Sequence, residues 1–218
     1  MRRIDQRLEG LSSQDGKLMS SLSLISDFVI AGVLWFIFSL PIITVGASTA
    51  ALFSTVFQMI KQEDTGPLKS FLRAFGEHFR RATVIWLIWL LLGAFLALDL
   101  YFYLMWSATG ESFGVVLFSI FCGLCLIYIC VGMYLFPYTV VFSSNLRRTF
   151  LNSAYLSFRH LPVTLLMAII NLALLMLCLA FPVLFIVLPG AMGAADGLLL
   201  YRTFSRYVSK ADVSKSEN

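Results

Sequence analysis

The chain has 218 residues, 59% of them hydrophobic and only 13% charged, with a formal net charge of +4. Soluble domains average roughly 45–50% apolar and about 25% charged residues, so a water-soluble globular fold is excluded. The positive excess does not point to nucleic acid, because the Lys and Arg residues sit in the connections between apolar blocks, where the positive-inside rule puts them.

In chain order, a polar segment (1–19) precedes an apolar block at 20–60 that carries no Asp, Glu, Lys or Arg from Phe28 onward. A helix needs about 20 apolar residues to cross roughly 30 Å of hydrocarbon, and this block is long enough for two. The break is expected at Pro41, which lacks an N–H and clashes inside a helix, with Gly46 close behind. Val45-Gly46-Ala47 has the small residues of a signal-cleavage site, but the apolar run continues to Ile60, so the block reads as an uncleaved hairpin. Residues 82–106 form a third helix, 107–112 a polar turn and 113–142 a fourth helix. Residues 161–201, interrupted at Pro182 and Pro189-Gly190, give the fifth and sixth, and 207–218 is a polar tail.

The expected fold is all-α: one polytopic transmembrane bundle over residues 1–218, with about six membrane helices and both termini cytoplasmic in the cell membrane. That topology places all 16 Lys and Arg inside and leaves Glu111 as the charged residue of an outside loop. If 20–60 crossed once, a five-helix chain would put Arg2, Arg3, Arg7 and Lys17 outside, against the rule.

Two cytoplasmic connections read as short interfacial amphipathic helices. In SFLRAFGEHFRR (70–81), Phe71, Phe75 and Phe79 recur at a spacing of four, with Arg80 and Arg81 following. TFLNSAYLSFRH (149–160) repeats the pattern, Phe150, Phe158 and Arg159 standing where Phe71, Phe79 and Arg80 stand in the first. Such segments bury aromatic rings at the membrane interface and leave basic groups among the headgroups; they are also the candidate surface for a protein partner. A second echo links Gly46-Ala47-Ser48-Thr49-Ala50-Ala51, after Pro41, to Gly193-Ala194-Ala195-Asp196-Gly197, after Pro189. Small residues in a row let helices approach closely in lipid; Pro and Gly interruptions at matching positions also mark the midplane sites of secondary transporters.

The run LWFIFSLPIITVGASTAALF (34–53), followed by SFLRAFGEHFRRATVIWLI (70–88), resembles the N-terminal signature of the YesL-like family of bacterial integral membrane proteins. The resemblance implies a multi-pass membrane protein of a group found mainly in Gram-positive bacteria and often encoded beside carbohydrate transporters and sensor systems. It implies no catalytic or binding residue and no cofactor.

Enzymatic chemistry is not expected. His78 and His160 lie in different segments without metal-ligand spacing, and there is no Walker loop or Gly-x-Ser-x-Gly. The Cys122/Cys125 pair and Cys130 and Cys178 lie in apolar runs and read as buried packing thiols, not as a metal or redox site. A charge at mid-membrane costs roughly 2.5–3.5 kcal/mol on insertion scales, so the Asp residues within apolar blocks stand out. Asp27 lies about two turns into the first helix and Asp99 toward the outer end of the third; Asp196 is the deepest. Without a span cation to pair with, Asp196 needs a proton, water, or a hydrogen bond from Asn171 or Thr44. Those three residues are the candidate solute or proton site, with a purely structural hydrogen bond as the alternative. The sequence therefore predicts an accessory or interaction protein of the membrane, near carbohydrate uptake, with the lipid bilayer and another membrane protein such as a carbohydrate transporter subunit as expected partners and a small Asp196-based transporter as the rival.

Overall fold

A computed structural model describes residues 23–24, 26–61, 66–107, 112–142, 144–181, 184–185 and 187–216. They form seven helices and one short 3-10 turn: α1 (Ser26–Phe38), the turn Ile42–Thr44, α2 (Val45–Ile60), α3 (Pro67–Ser107), α4 (Ser112–Val141), α5 (Leu146–Arg159), α6 (Leu161–Ala180) and α7 (Leu188–Ser216). No strand occurs among the described residues. Four helical segments are long and apolar enough to cross a membrane: Ile42–Ile60, Pro67–Trp106, Phe113–Val141 and Leu161–Ala180, while Ser26–Phe38 is a shorter apolar helix.

The predicted break at Pro41 is present. Around it α1 and α2 fold back antiparallel: the Thr44 hydroxyl lies 2.6 Å from the Phe38 carbonyl, and further along both helices the Trp35 indole N–H donates to Thr49 Oγ1 at 3.0 Å. α2 is the central helix. Its small-residue run leaves Gly46, Ala47, Ser48, Ala50 and Ala51 buried, and neighbouring backbones close in because no side chain holds them off. A Cβ on Gly46 would lie 2.6 Å from the Ala82 carbonyl of α3. On another side α7 packs parallel to α2, with Gly193 over Leu52 and Gly197 over Val56. The small-residue run of α7 thus lies against α2 just beyond the run at 46–51, whose Gly46 faces α3 instead.

α3 and α4 form a long antiparallel hairpin, sewn by aromatic pairs that step along both helices: Trp106–Phe113, Tyr103–Phe121, Trp89–Tyr128 and Trp86–Phe136. Tyr128 also donates to the Trp89 carbonyl at 2.9 Å. Residues 90–106 and 113–127 of this hairpin present a largely apolar surface, with Leu91 74% and Leu98 71% exposed. Asp99 is the one acidic residue on these two stretches, and the rest is apolar because in a bilayer the surrounding solvent is itself apolar.

The structure corrects the sequence reading in three places. Residues 70–81 are not a separate interfacial helix but the start of α3, which runs unbroken for 41 residues, about 60 Å at 1.5 Å per residue. Nothing between Arg81 and Ala82 stops a helix, and Gly76 is too weak a breaker alone. The stripe on this arm also turns inward. Phe71 is fully buried, and Phe38 of α1 meets Phe71 and Phe75 with ring centroids 5.7 and 4.9 Å apart. α5, by contrast, is a distinct helix. The four cysteines are free, but only Cys178 is buried; Cys122 is exposed on the apolar hairpin, and Cys125 and Cys130 are intermediate. The polar turn at 108–111, Pro182 and the segment 1–22 lie outside the described residues, and α7 continues through 207–216, assigned above to a tail.

Candidate functional site

Asp196 comes from the third turn of α7 and is 6% exposed. Asn171 lies on antiparallel α6, brought opposite by the same pairing that sets Met167 and Leu200 in one buried cluster. The Asn171 amide nitrogen donates to both carboxylate oxygens of Asp196, at 3.1 and 2.9 Å. A carboxylate accepts and an amide NH2 donates, so this orientation is the one the charge demands. The amide oxygen, Asn171 Oδ1, is left buried and without a partner.

The pair opens into a cavity of about 350 Å³. α1 contributes Trp35; α2 gives Thr49, Leu52 and Phe53; Met133 comes from α4; Phe185, Leu188, Pro189, Met192 and Gly193 come from α7 and the chain leading into it. Small-solute pockets have this make-up, a mostly apolar wall with a few convergent polar groups. The other polar side chains in the wall are already engaged. Trp35 N–H donates to Thr49 Oγ1, and Thr49 O–H donates to the Val45 carbonyl at 2.7 Å.

The third predicted member does not join. The Thr44 hydroxyl lies within hydrogen-bonding distance of the Phe38 and Pro41 carbonyls, 2.6 and 2.8 Å away, and so fastens the α1–α2 turn. Its single proton is committed to main-chain acceptors freed by the break at Pro41. Trp35 and Thr49 were missed in its place. The available signal was the indole N–H of a Trp inside an apolar run, which needs an acceptor when buried, and a threonine five positions beyond Thr44 in the small-residue run.

The candidate partner residues separate into two kinds. Phe71 and Phe75 pack on α1, and Phe79 is 37% exposed. Arg80 is exposed, whereas Arg81 donates to the Ser144 carbonyl and, at 3.1 Å, to Thr149 Oγ1, tying α3 to the α4–α5 corner. Phe150 is half-buried against Trp89, ring centroids 6.2 Å apart. Phe158 is exposed beside Leu151 and Tyr155, and Arg159 bonds to the Tyr155 hydroxyl and lies over its ring. A buried polar contact holds α5 and α6 to α4: Thr164 Oγ1 donates to the Ser157 carbonyl at 3.0 Å, so the Tyr134 hydroxyl, also 3.0 Å away, donates to Thr164.

Among the described residues no group of three or more His, Cys, Asp or Glu is placed to hold a metal ion. The family described as "Protein of unknown function, DUF624" matches residues 28–100, from α1 through most of α3. The "Uncharacterized protein YesL" of Bacillus subtilis (strain 168) is 30% identical over 140 residues, 62% of this chain and 64% of that protein. The matched region therefore spans under two thirds of the relative's length. No solved structure matches. Family match and relative agree with the resemblance carried by residues 34–53 and 70–88: over this part of its length the chain is similar to the YesL-like proteins.

Proposed function

We propose that this is a six-span protein of the cell membrane, with both termini in the cytoplasm, that holds a small solute between α1, α2, α6 and α7 in the manner of a secondary transporter. The observation that carries the reading is Asp196: a carboxylate 6% exposed, bonded to one amide, on the wall of a cavity of about 350 Å³. Intramembrane carboxylates are costly, and the default reading of one facing a cavity is a solute or ion pathway. The site also lies where Pro189-Gly190 opens α7 and, across it, Pro41 precedes α2, the interrupted-helix setting of transporter sites. The six-span count adds α1 and α7 to the four long apolar segments. It is supported by the antiparallel α1–α2 hairpin and by the distribution of the 16 basic residues.

A thermal-stability screen of the purified chain against small solutes tests this. Occupancy at 100 times Kd stabilises a protein by about 2.7 kcal/mol, and wild type is expected to respond to members of the panel to which Asp196→Asn is blind. If the two forms are stabilised alike by every solute, Asp196 is not part of a solute site.

A second reading, an accessory protein docking through α5, is favoured by the outward face formed by Leu151, Tyr155 and Phe158, each more than half exposed. Its suggested connection with carbohydrate uptake comes from the family resemblance.

A further inference from the structure

We infer that the group recognised at Asp196 is a protonated amine; the inference rests on the solute-site reading above and specifies its chemistry. The argument is an inventory of donors and acceptors on the cavity wall. The indole N–H of Trp35 is engaged by Thr49, the Thr49 hydroxyl by the Val45 carbonyl, and the Asn171 amide nitrogen by Asp196. Among these side chains only the second N–H of the Asn171 amide is left, because one NH2 cannot aim both hydrogens at a single carboxylate. Acceptors do remain. An ionised carboxylate offers about four lone-pair directions, of which Asn171 fills two, and Asn171 Oδ1 is buried with no partner at all.

A ligand that satisfies this wall must donate and must bring positive charge. An ammonium does both, with donors for the free lone pairs of Asp196 and a charge that offsets a buried carboxylate otherwise left uncompensated. The rest of the wall suits a cation attached to an apolar body. Trp35, Phe53 and Phe185 offer ring faces, and Met133 and Met192 offer polarizable sulfur. Other classes fit badly. An anion would face the Asp196 carboxylate with no Lys, Arg or His in the wall to offset the repulsion. A polyol would satisfy the acceptors but leave most of its own hydroxyl oxygens buried without donors, at a cost of about 1–3 kcal/mol each. A hard metal ion wants about six or more oxygen ligands, and these two side chains supply at most three. The ammonium has two sources in a membrane, a small soluble amine or the headgroup of an aminophospholipid.

The test uses the full chain in a non-ionic maltoside and three probes that share a phenylethyl body: phenethylammonium, 2-phenylethanol and phenylacetate, titrated by calorimetry up to millimolar concentration. The expected result is that wild type binds the ammonium at least 30-fold more tightly than the alcohol and does not bind the carboxylate, and that Asp196→Asn removes the preference. Gly123→Ala, which lies outside the cavity wall and meets no neighbour within 4 Å, is expected to keep it. Equal binding of ammonium and alcohol, or binding of phenylacetate, overturns the ammonium assignment and leaves the solute site standing. No binding of any of the three to wild type overturns both. The wild-type comparison decides the question even if Asp196→Asn does not fold. Repeating the titration in phosphatidylglycerol liposomes with and without phosphatidylethanolamine assigns the source: competition by the lipid identifies a headgroup, and unchanged binding identifies a soluble amine.

Discussion

Gly46→Ala tests the claim that backbone proximity around α2 organises the core. The new Cβ would lie 2.3 Å from the Cβ of Trp86 and 2.6 Å from the Ala82 carbonyl oxygen, where unstrained heavy atoms sit about 3.5–4.0 Å apart. Neither neighbour is the free end of a flexible side chain, so α2 and α3 must separate by about 1 Å. A gap of that size forfeits a quarter to a half of each dispersion contact it opens, along a face that includes Ala47, Ala50 and Ala51, each fully buried. It also draws Trp86 Nε1 away from the Ile42 carbonyl, now 2.8 Å distant. The expected cost is about 3 kcal/mol, at the upper end of ordinary overpacking and close to a hundredfold in the folding equilibrium. Reversible unfolding in mixed micelles titrated with dodecyl sulfate measures it, with Gly123→Ala as the control. A Cβ at Gly123 meets nothing within 4 Å, so that variant is expected to stay within about 0.5 kcal/mol of wild type. A Gly46→Ala protein as stable as the control would refute the close-packing argument.

Arg81→Ala removes the bonds to the Ser144 carbonyl and Thr149 and is expected to cost about 2 kcal/mol in the same titration; Arg81→Lys should recover only part of this, since an ammonium lacks the planar fork. Phe158→Ser acts on a ring 53% exposed and is expected to leave stability within about 0.5 kcal/mol while reducing crosslinking to any neighbouring membrane protein; unchanged crosslinking would remove α5 as a docking face. In a background without native cysteines, single cysteines at Ser13 and Ser214 are expected to resist an impermeant thiol reagent in intact cells and one at Ser107 to react; labelling at Ser13 but not Ser214 would support five spans instead of six.

Pro41 and the Asp196–Asn171 bond were legible in the sequence because each depends on local chemistry: proline disfavours a helix interior, although α4 runs on through Pro137, and a buried carboxylate needs a donor. The fate of Phe71 and Phe75 was not. Spacing of four shows that rings share a helix face but not what covers that face, and here the cover is Phe38 of α1, which no local pattern announces. Nor does the continuity of α3 through Arg81 leave a signal, since a cytoplasmic arm and a membrane helix can share one uninterrupted hydrogen-bond ladder. The cavity was the least visible feature, because it is set by helices distant in sequence, with Trp35 near one end of the fold and Asp196 near the other.

That separation has a consequence for biosynthesis. Asn171 and Asp196 are 25 residues apart, so at about 5–20 residues per second the amide on α6 waits roughly 1–5 s before its carboxylate partner has been synthesised. The α3–α4 hairpin is complete by then, its aromatic rungs closed by neighbours in the chain. The pocket is therefore assembled last, and a nascent chain stalled before α7 holds a finished hairpin beside an apolar α6 whose Asn171 amide has no carboxylate to bond, a ready mark for quality control to read.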